Sequence, residues 1–353
     1  MRGQPTAAAS HGYTVVGAGA IGGTLACHLA VAGHHVTLVE ADRAHVERIA
    51  GHGLVIERDG SESEAVRFAV FTPDNYPGTL GPVLLAVKAQ HTPAAAAWIA
   101  SRLEEDGWVA SMQNGLNEDA IAEAVGRART VGAFVNLNAD VLRPGVIHDG
   151  GLGALALGEL DGSASLRVRQ LACDLAHWGK AIVTANIHGF LWSKLAYLAM
   201  LTATSLSNQE MAESVRRYRG LMSDLAREVC AVAAARGIAL ERFDAFEAGA
   251  YTPSTSRVDS EAVTKALAVW MATLAKKHSG IWRDIVVRRR PTEVPALYAP
   301  VFRLAGEQGV PVPLLARTLK MLAEAERGER AIADDNLDEL DDLAERTAIT
   351  TYR

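Results

Sequence analysis

One six-residue stretch decides what this chain can fold into. Residues 13–16 form a short apolar run that breaks into Gly17-Ala18-Gly19-Ala20-Ile21-Gly22. A helical pattern follows, carrying Leu25, Leu29 and Val31, until Gly33 stops it. A second apolar run, 36–39, ends at Glu40. Strand, glycine turn, helix and strand make one βαβ unit. Gly-x-Gly-x-x-Gly alone is a weak signal, but between a strand and a helix it is specific for a dinucleotide pyrophosphate. Gly17 permits the tight turn, Gly19 lets backbone approach the phosphates, and Gly22 lets helix and strand pack closely. Ala20 and Ile21 open the helix, whose free N–H groups and dipole favour negative charge.

Glu40 stands 23 positions after Gly17. A carboxylate there accepts hydrogen bonds from the ribose hydroxyls of NAD and repels the 2′-phosphate of NADP. Arg43, one turn on, offers that phosphate a guanidinium. The expected cofactor is NAD(H), with NADP(H) allowed through Arg43.

At 353 residues the chain exceeds one ordinary core, so two domains are expected. Buried-strand patterns at 83–87, 108–111 and 130–136, with a helical pattern at 94–103, extend the βαβ unit into a doubly wound, mainly parallel sheet. After about Gly151 the texture changes. A helix at 166–177 and a last short strand at 181–184 close the first domain. From His188 onward helical patterns dominate, at 191–207, 220–236 and 261–287. The expected architecture is an α/β Rossmann domain over 12–187 and an all-helical C-terminal domain over 188–330. Residues 1–11 are expected to be disordered, and 331–353, within an acidic stretch from Glu324, to form an exposed helix or a loose tail.

Composition narrows the partners. A net charge of −6 disfavours nucleic acid and anionic membrane, and the short Arg288-Arg289-Arg290 cluster reads as a solvated helix end. Cys27, Cys173 and Cys230 are widely spaced, with no Cys/His ligand pattern, so neither a disulfide framework nor a metal site is expected. The polar N-terminus is not a secretory signal, and the apolar stretch 190–206 contains Lys194 and is short for a span. The expectation is a cytoplasmic protein with a small-molecule substrate, a homodimer being allowed.

Two more strand ends carry chemistry: the run 83–87 leads into Lys88, and 108–111 leads into Gln113-Asn114-Gly115. In an open α/β sheet, ligands bind at the carboxyl ends of strands. Ordinary turn chemistry is the alternative for Asn-Gly.

With these residues in view, the chain resembles the ketopantoate reductase (2-dehydropantoate 2-reductase) family along most of its length. The matching segments are Gly17 to Gly22, Ala86-Val87-Lys88-Ala89 with Thr92, and Gln113-Asn114-Gly115. Further on come Trp192-Ser193-Lys194-Leu195, the segment 279–285, and Pro291-Thr292-Glu293. The resemblance implies a Rossmann domain followed by a helical domain, with the active site in the cleft between them, and reduction of a 2-oxo acid by a nicotinamide cofactor. It implies Lys88 and Asn114 beside the nicotinamide ribose, Lys194 as general acid and Glu293 near ribose or substrate, so that Lys194 and Glu293 are the catalytic pair. Hydride attack on a ketone develops negative charge on oxygen, which an ammonium stabilises and protonates. A lysine snorkelling from an amphipathic helix is the alternative for Lys194 taken alone.

The chain also departs from the family. Where the family places asparagines four and eight residues after the lysine, this chain has Leu198 and Thr202. The family's carboxylate-binding serine position is Gly280, beside Ser279 and His278, and the Asp284 to Glu293 spacing is one residue longer than usual. The NADPH-binding arginine position is Ala41. The substrate-facing set is thus Asn114, Lys194, Leu198, Thr202, His278, Ser279 and Asp284, while His34, His35, His177 and His188 read as structural. Lost polar partners leave buried groups unpaired. The expected activity is therefore an NAD(P)-dependent dehydrogenase or reductase acting on CH–OH groups, interconverting a small 2-oxo acid or related carbonyl compound and its hydroxy form, with ketopantoate not the substrate. The alternatives are a true 2-dehydropantoate 2-reductase, an opine-type dehydrogenase, and a non-catalytic dinucleotide sensor, for which Lys194 would have no use.

Overall fold

A computed structural model describes residues 12–351. The stretch 1–11, expected to be disordered, lies outside the described residues. The chain divides into two compact units. The first takes the chain up to Gln113 together with Asn117–Ile187, and the second takes Asn114–Leu116 and the chain from His188 on.

Among the described residues the first unit holds ten strands in one sheet: β1 Tyr13–Val16, β2 Val36–Val39, β3 Val55–Arg58, β4 Ser61–Glu62, β5 Ala69–Phe71, β6 Leu80–Leu85, β7 Leu103–Ser111, β8 Thr130–Arg143, β9 Val146–Glu159 and β10 Ala181–Val183. Their order is β4-β3-β9-β8-β7-β6-β1-β2-β5, and β10 also pairs with β9. Pairing is parallel except in β3·β4 and β8·β9. Helices α1 Ala20–Val31, α2 Arg43–His52, α3 Thr92–Ala100, α4 Glu118–Val125 and α5 Leu166–Asp174 complete the unit. Alternation along the strands sends side chains to both faces. Val15, Leu38, Leu84 and Ala110 join Leu25 and Leu29 of α1 in one core layer. Val16, Val39, Val83, Leu85 and Val109 join Ile99, Ile121 and Val125 in the other. Each such valine, leucine or isoleucine side chain contributes about 1.5–3 kcal/mol on full burial. Both faces are covered, which is why these strands read as continuous apolar runs.

The chain leaves β1 toward β2 and β5 on one side, and returns to β6 and β7 on the other. Such a reversal opens a crevice at the strands' carboxyl ends. Gly17, Glu40 and Lys88 follow β1, β2 and β6 there.

The sheet is larger than the sequence suggested. The strand expected at 130–136 continues to Arg143, and β9 runs straight through Gly151, where a change of texture was expected. Asn136, Asn138 and Asp140 on β8, and Gly150, Gly151 and Gly153 on β9, dilute the apolar alternation, so long antiparallel pairing rather than propensity holds this hairpin.

The second unit is helical: α6 Ile187–Thr204, all but its first residue, then α7 Met211–Arg217, α8 Arg219–Ala235, α9 Arg257–Ala272, the single turn α10 Gly280–Trp282, α11 Val294–Gln308, α12 Pro313–Glu326 and α13 Asp335–Thr351. α8 is the hub, packing against α7, α9, α11, α12 and α13. One expectation is corrected. The pattern 261–287 is not one helix: α9 ends at Ala272, and Ser279 caps a fresh start by accepting the Trp282 N–H through its hydroxyl. Of the two alternatives for the C-terminal stretch the structure has the helix, α13, which packs Leu337, Leu340 and Ala344 inward instead of lying fully exposed. Among the described residues, no helix is long and apolar enough to cross a membrane.

Candidate active site

The glycine turn has the shape a pyrophosphate needs. Gly17 sits at φ +94, and a Cβ there would lie 2.8 Å from the Val87 nitrogen. A Cβ on Gly22 would lie 1.9 Å from the Gly17 carbonyl oxygen, so helix and strand meet there without room for a methyl group. At Gly19, by contrast, a Cβ would meet nothing within 4 Å. Gly19 caps α1 without a side-chain hydrogen bond, and helix geometry leaves the N–H groups of Ala20, Ile21 and Gly22 without intrahelical acceptors. Open space in front of unpaired donors at a helix N-terminus fits a dinucleotide phosphate. Gly23, which the sequence did not single out, closes the packing behind: a Cβ there would lie 2.3 Å from Ile147 Cδ1.

Ala18, at the centre of the turn, is held on both sides. Its N–H donates to Glu40 Oε2 at 2.8 Å, and its carbonyl lies 2.9 Å from His45 Nε2. Glu40 Oε1 accepts the Asp42 N–H at 2.9 Å. The Glu40 carboxylate is therefore oriented by two backbone donors at the end of β2. Arg43 opens α2 with an exposed side chain, 4.0 Å from Asp74.

Lys88 leads into a one-turn helix, Ala89–His91. Behind it Gln113 Nε2 donates to the Val87 carbonyl at 2.9 Å and to Thr92 Oγ1 at 2.7 Å, and Thr92 in turn donates to Asn117 Oδ1. Gln113 and Thr92 thus fix the strand end that carries Lys88. Glu118, beside this network, is buried with no hydrogen-bond partner for Oε1 among the described residues, and burial pushes its pKa up to about 7.

Within the second unit a different group assembles. Asn114 Nδ2 donates to Glu293 Oε1 at 3.3 Å. Lys194, on α6, is only 7% exposed. Burial lowers its pKa to about 8, against the opposing pull of the Glu293 and Asp244 carboxylates, while Lys276 adds to the lowering. Lys194, Glu293 and Asn114, far apart in sequence, thus share one neighbourhood. Leu198 and Thr202 lie one and two turns along the same helix, and the Thr202 hydroxyl donates to the Leu198 carbonyl at 2.8 Å. The remaining residues of the expected substrate set are engaged within their own segment. Ser279 caps α10, His278 stacks on Trp282 with ring centres 4.1 Å apart, and Asp284 pairs with Arg288 and Arg290.

Residues 13–162 match the family described as ketopantoate reductase PanE/ApbA, and residues 186–326 match its C-terminal domain. The chain belongs to the ketopantoate reductase family. Ketopantoate reductases are nicotinamide-dependent oxidoreductases acting on CH–OH groups. A 2-dehydropantoate 2-reductase of Mesorhizobium japonicum is 34% identical over 204 residues, covering 52% of this chain and 62% of that protein's length. One from Halobacterium salinarum is 26% identical over 319 residues, covering 89% of this chain and 98% of that one. The fold is shared with a D-mandelate dehydrogenase solved with NADH and anilino(oxo)acetate, at a TM-score of 0.78 and 21% identity over 90% of this chain and 99% of that one.

Between Asp284 and Glu293, residues Arg283–Val287 form a π turn, closed by Arg288 N–H donating to the Arg283 carbonyl at 2.9 Å. Arg289 then sits at φ +51, left-handed for a side chain that disfavours it. Sequence reading missed Asp244 and Lys276 beside Lys194, and His45 beneath the glycine turn. None lies in a recognisable motif, and only tertiary packing brings them there.

Proposed function

We propose that this ketopantoate reductase family member prefers NAD(H) and interconverts a small 2-oxo acid and its 2-hydroxy form, with Lys194 as acid and base, and that ketopantoate is not its substrate. The observation that carries this reading is the buried Lys194 amine, with a pKa of about 8, grouped with Glu293 and Asn114. When bound, the nicotinamide supplies or takes up a hydride. In the reductive direction the Lys194 ammonium donates a hydrogen bond to the substrate carbonyl oxygen and then its proton to the forming alkoxide. In the oxidative direction the neutral amine takes the hydroxyl proton. A pKa near 8 keeps both forms accessible around neutral pH. Asn114, by donating to Glu293, orients that carboxylate, while Lys88 reaches the cofactor from the end of β6. Glu40, already aligned by two backbone donors, accepts from the ribose hydroxyls.

The substrate assignment rests on α6. Leu198 offers only hydrocarbon where the family offers an amide, and the Thr202 hydroxyl is occupied by its own helix. A polar pantoyl chain would lose hydrogen-bond partners at about 1–3 kcal/mol per unpaired group, whereas an apolar side chain would not. The ligand of the D-mandelate dehydrogenase structure, anilino(oxo)acetate, carries an aromatic ring beside an oxo acid group and suggests the class to try first. The test is a panel of aliphatic, branched and aromatic 2-oxo and 2-hydroxy acids, assayed with both NAD(H) and NADP(H). Turnover of apolar 2-oxo acids with NADH, and poor turnover of ketopantoate, is expected. Efficient reduction of ketopantoate would overturn the substrate assignment and favour a true 2-dehydropantoate 2-reductase, the name its curated relatives carry.

A further inference from the structure

The loop after α8 is fastened to α6 on either side of Lys194. Before the lysine, Ser193 Oγ accepts the Glu241 N–H at 3.1 Å. After it, Tyr197 receives the rings of Phe243 and Phe246, with centres 5.8 and 5.5 Å from its own. Those two phenylalanines also bond to each other through the backbone, Phe246 N–H to Phe243 O at 2.8 Å and Phe243 N–H to Phe246 O at 3.2 Å. The four residues 243–246 therefore form a closed tight turn with Asp244 at its corner. Asp244 is exposed and sits at φ +43. A left-handed conformation is unfavourable for a non-glycine residue, and aspartate is among the few side chains that tolerate it. An apolar clamp that fixes a charged corner beside a buried lysine is a costly arrangement for a mere connection.

We propose that the 243–246 turn exists to hold Asp244 as a second anionic partner of Lys194, more exposed than Glu293, and that Asp244 thereby sets the protonation state in which Lys194 meets its substrate. Asp244 is a positioning residue acting through Lys194, so the proposal rests on the reading of Lys194 given above. The charged groups bearing on the lysine are Glu293 and Asp244, which favour the ammonium, and Lys276, which opposes it; burial opposes it as well. The negative charge of Asp244 also reaches the Tyr197 phenol, consistent with its place at the α6 surface. Because Asp244 faces solvent while Glu293 is half-buried, salt screens the first contribution more than the second.

Asp244→Asn is the discriminating variant, because asparagine keeps the left-handed corner and the side-chain shape and removes only the charge. The measurement is the titration of Lys194 in protein carrying ¹³C-labelled lysine, its resonance identified by its absence in Lys194→Met. At low salt the Asp244→Asn midpoint should fall by about 0.2–0.7 pH unit, the worth of one exposed ion pair. In high salt the difference from the native chain should shrink. Asp244→Gly, which also suits the corner, should shift the midpoint equally. An unmoved midpoint in both variants overturns the proposal. Activity separates the two readings: an inactive Lys194→Met beside an unmoved Asp244→Asn titration removes Asp244 alone, whereas an active Lys194→Met removes the lysine mechanism itself.

Discussion

His45 Nε2 donates to the carbonyl oxygen of Ala18 at 2.9 Å. The tautomer follows from the other ring nitrogen, because Nδ1 accepts the Gly145 N–H at 3.0 Å and so carries no proton. The imidazole, buried on α2, thereby ties the nucleotide turn to the tip of the β8–β9 hairpin. Glu40 holds the N–H of the same Ala18, so the centre of the turn is fixed from both ends. Replacing His45 with Ala should leave two backbone groups unpaired, at about 1–3 kcal/mol each. A lowered Tm together with weaker nucleotide binding is expected. Unchanged values for both would show that the turn holds its shape without the imidazole.

Two glycines of the turn should respond in opposite ways. Gly19→Val places its side chain in open space, so the chain should fold with near-native Tm and lose nucleotide affinity. Gly22→Ala drives a methyl group against the Gly17 carbonyl and should destabilise the fold by about 1–3 kcal/mol or more. Undiminished nucleotide titration in folded Gly19→Val would contradict a phosphate position in front of Gly19.

For Glu40, substitution by Ser or Ala removes the charge that repels a 2′-phosphate and frees Arg43 to meet one. The ratio of NADP(H) to NAD(H) use should rise, although affinity for both should drop because the Ala18 N–H loses its acceptor. Tighter binding of NADPH than NADH by the native enzyme would mean that Arg43 already governs the choice.

Glu118 offers a test of stability against pH. Its folded pKa, about 7, is raised above the ordinary glutamate value by burial, so the folded state holds a proton that the unfolded state releases. The glutamate therefore favours folding most at low pH, and that contribution is lost as pH rises from its ordinary pKa through 7. Glu118→Gln mimics the protonated form. It should be more stable than the native chain above pH 7, by about 1–3 kcal/mol, with the gain fading below pH 5. Denaturant unfolding at pH 5 and pH 8 measures this, and an equal difference at both would rule out a titrating Glu118.

The sequence disclosed what local rules encode. Gly17, Gly19 and Gly22 announced themselves by spacing, and Glu40 by its place at a strand end, because a dinucleotide imposes both. Lys194 was legible only through its neighbours in a family pattern, since nothing in the helical periodicity distinguishes it from a surface lysine. The outer half of the β8–β9 hairpin was hidden because pairing between strands, such as Asp140 with His148 and Val141 with Ile147, holds it together, while Gly150 and Gly151 fall in a register shift that breaks the side-chain alternation. The fresh start at α10 was hidden because a single hydroxyl, that of Ser279, caps it. Asp244 left no trace in sequence, since its place beside Lys194 depends on aromatic packing against Tyr197.

The most direct test of the account is Lys194→Met, which keeps the buried aliphatic stem and removes the amine. In the native enzyme, kcat/KM for reduction should fall as pH rises through about 8, where the ammonium is lost, and for oxidation should rise over the same range. In Lys194→Met, on the best substrate of the acid panel, turnover should fall about 10²–10⁴-fold and the pH limb near 8 should vanish, with nucleotide affinity little changed. A folded Lys194→Met enzyme with near-native turnover and the same pH limb would contradict the central claim that this lysine carries the proton.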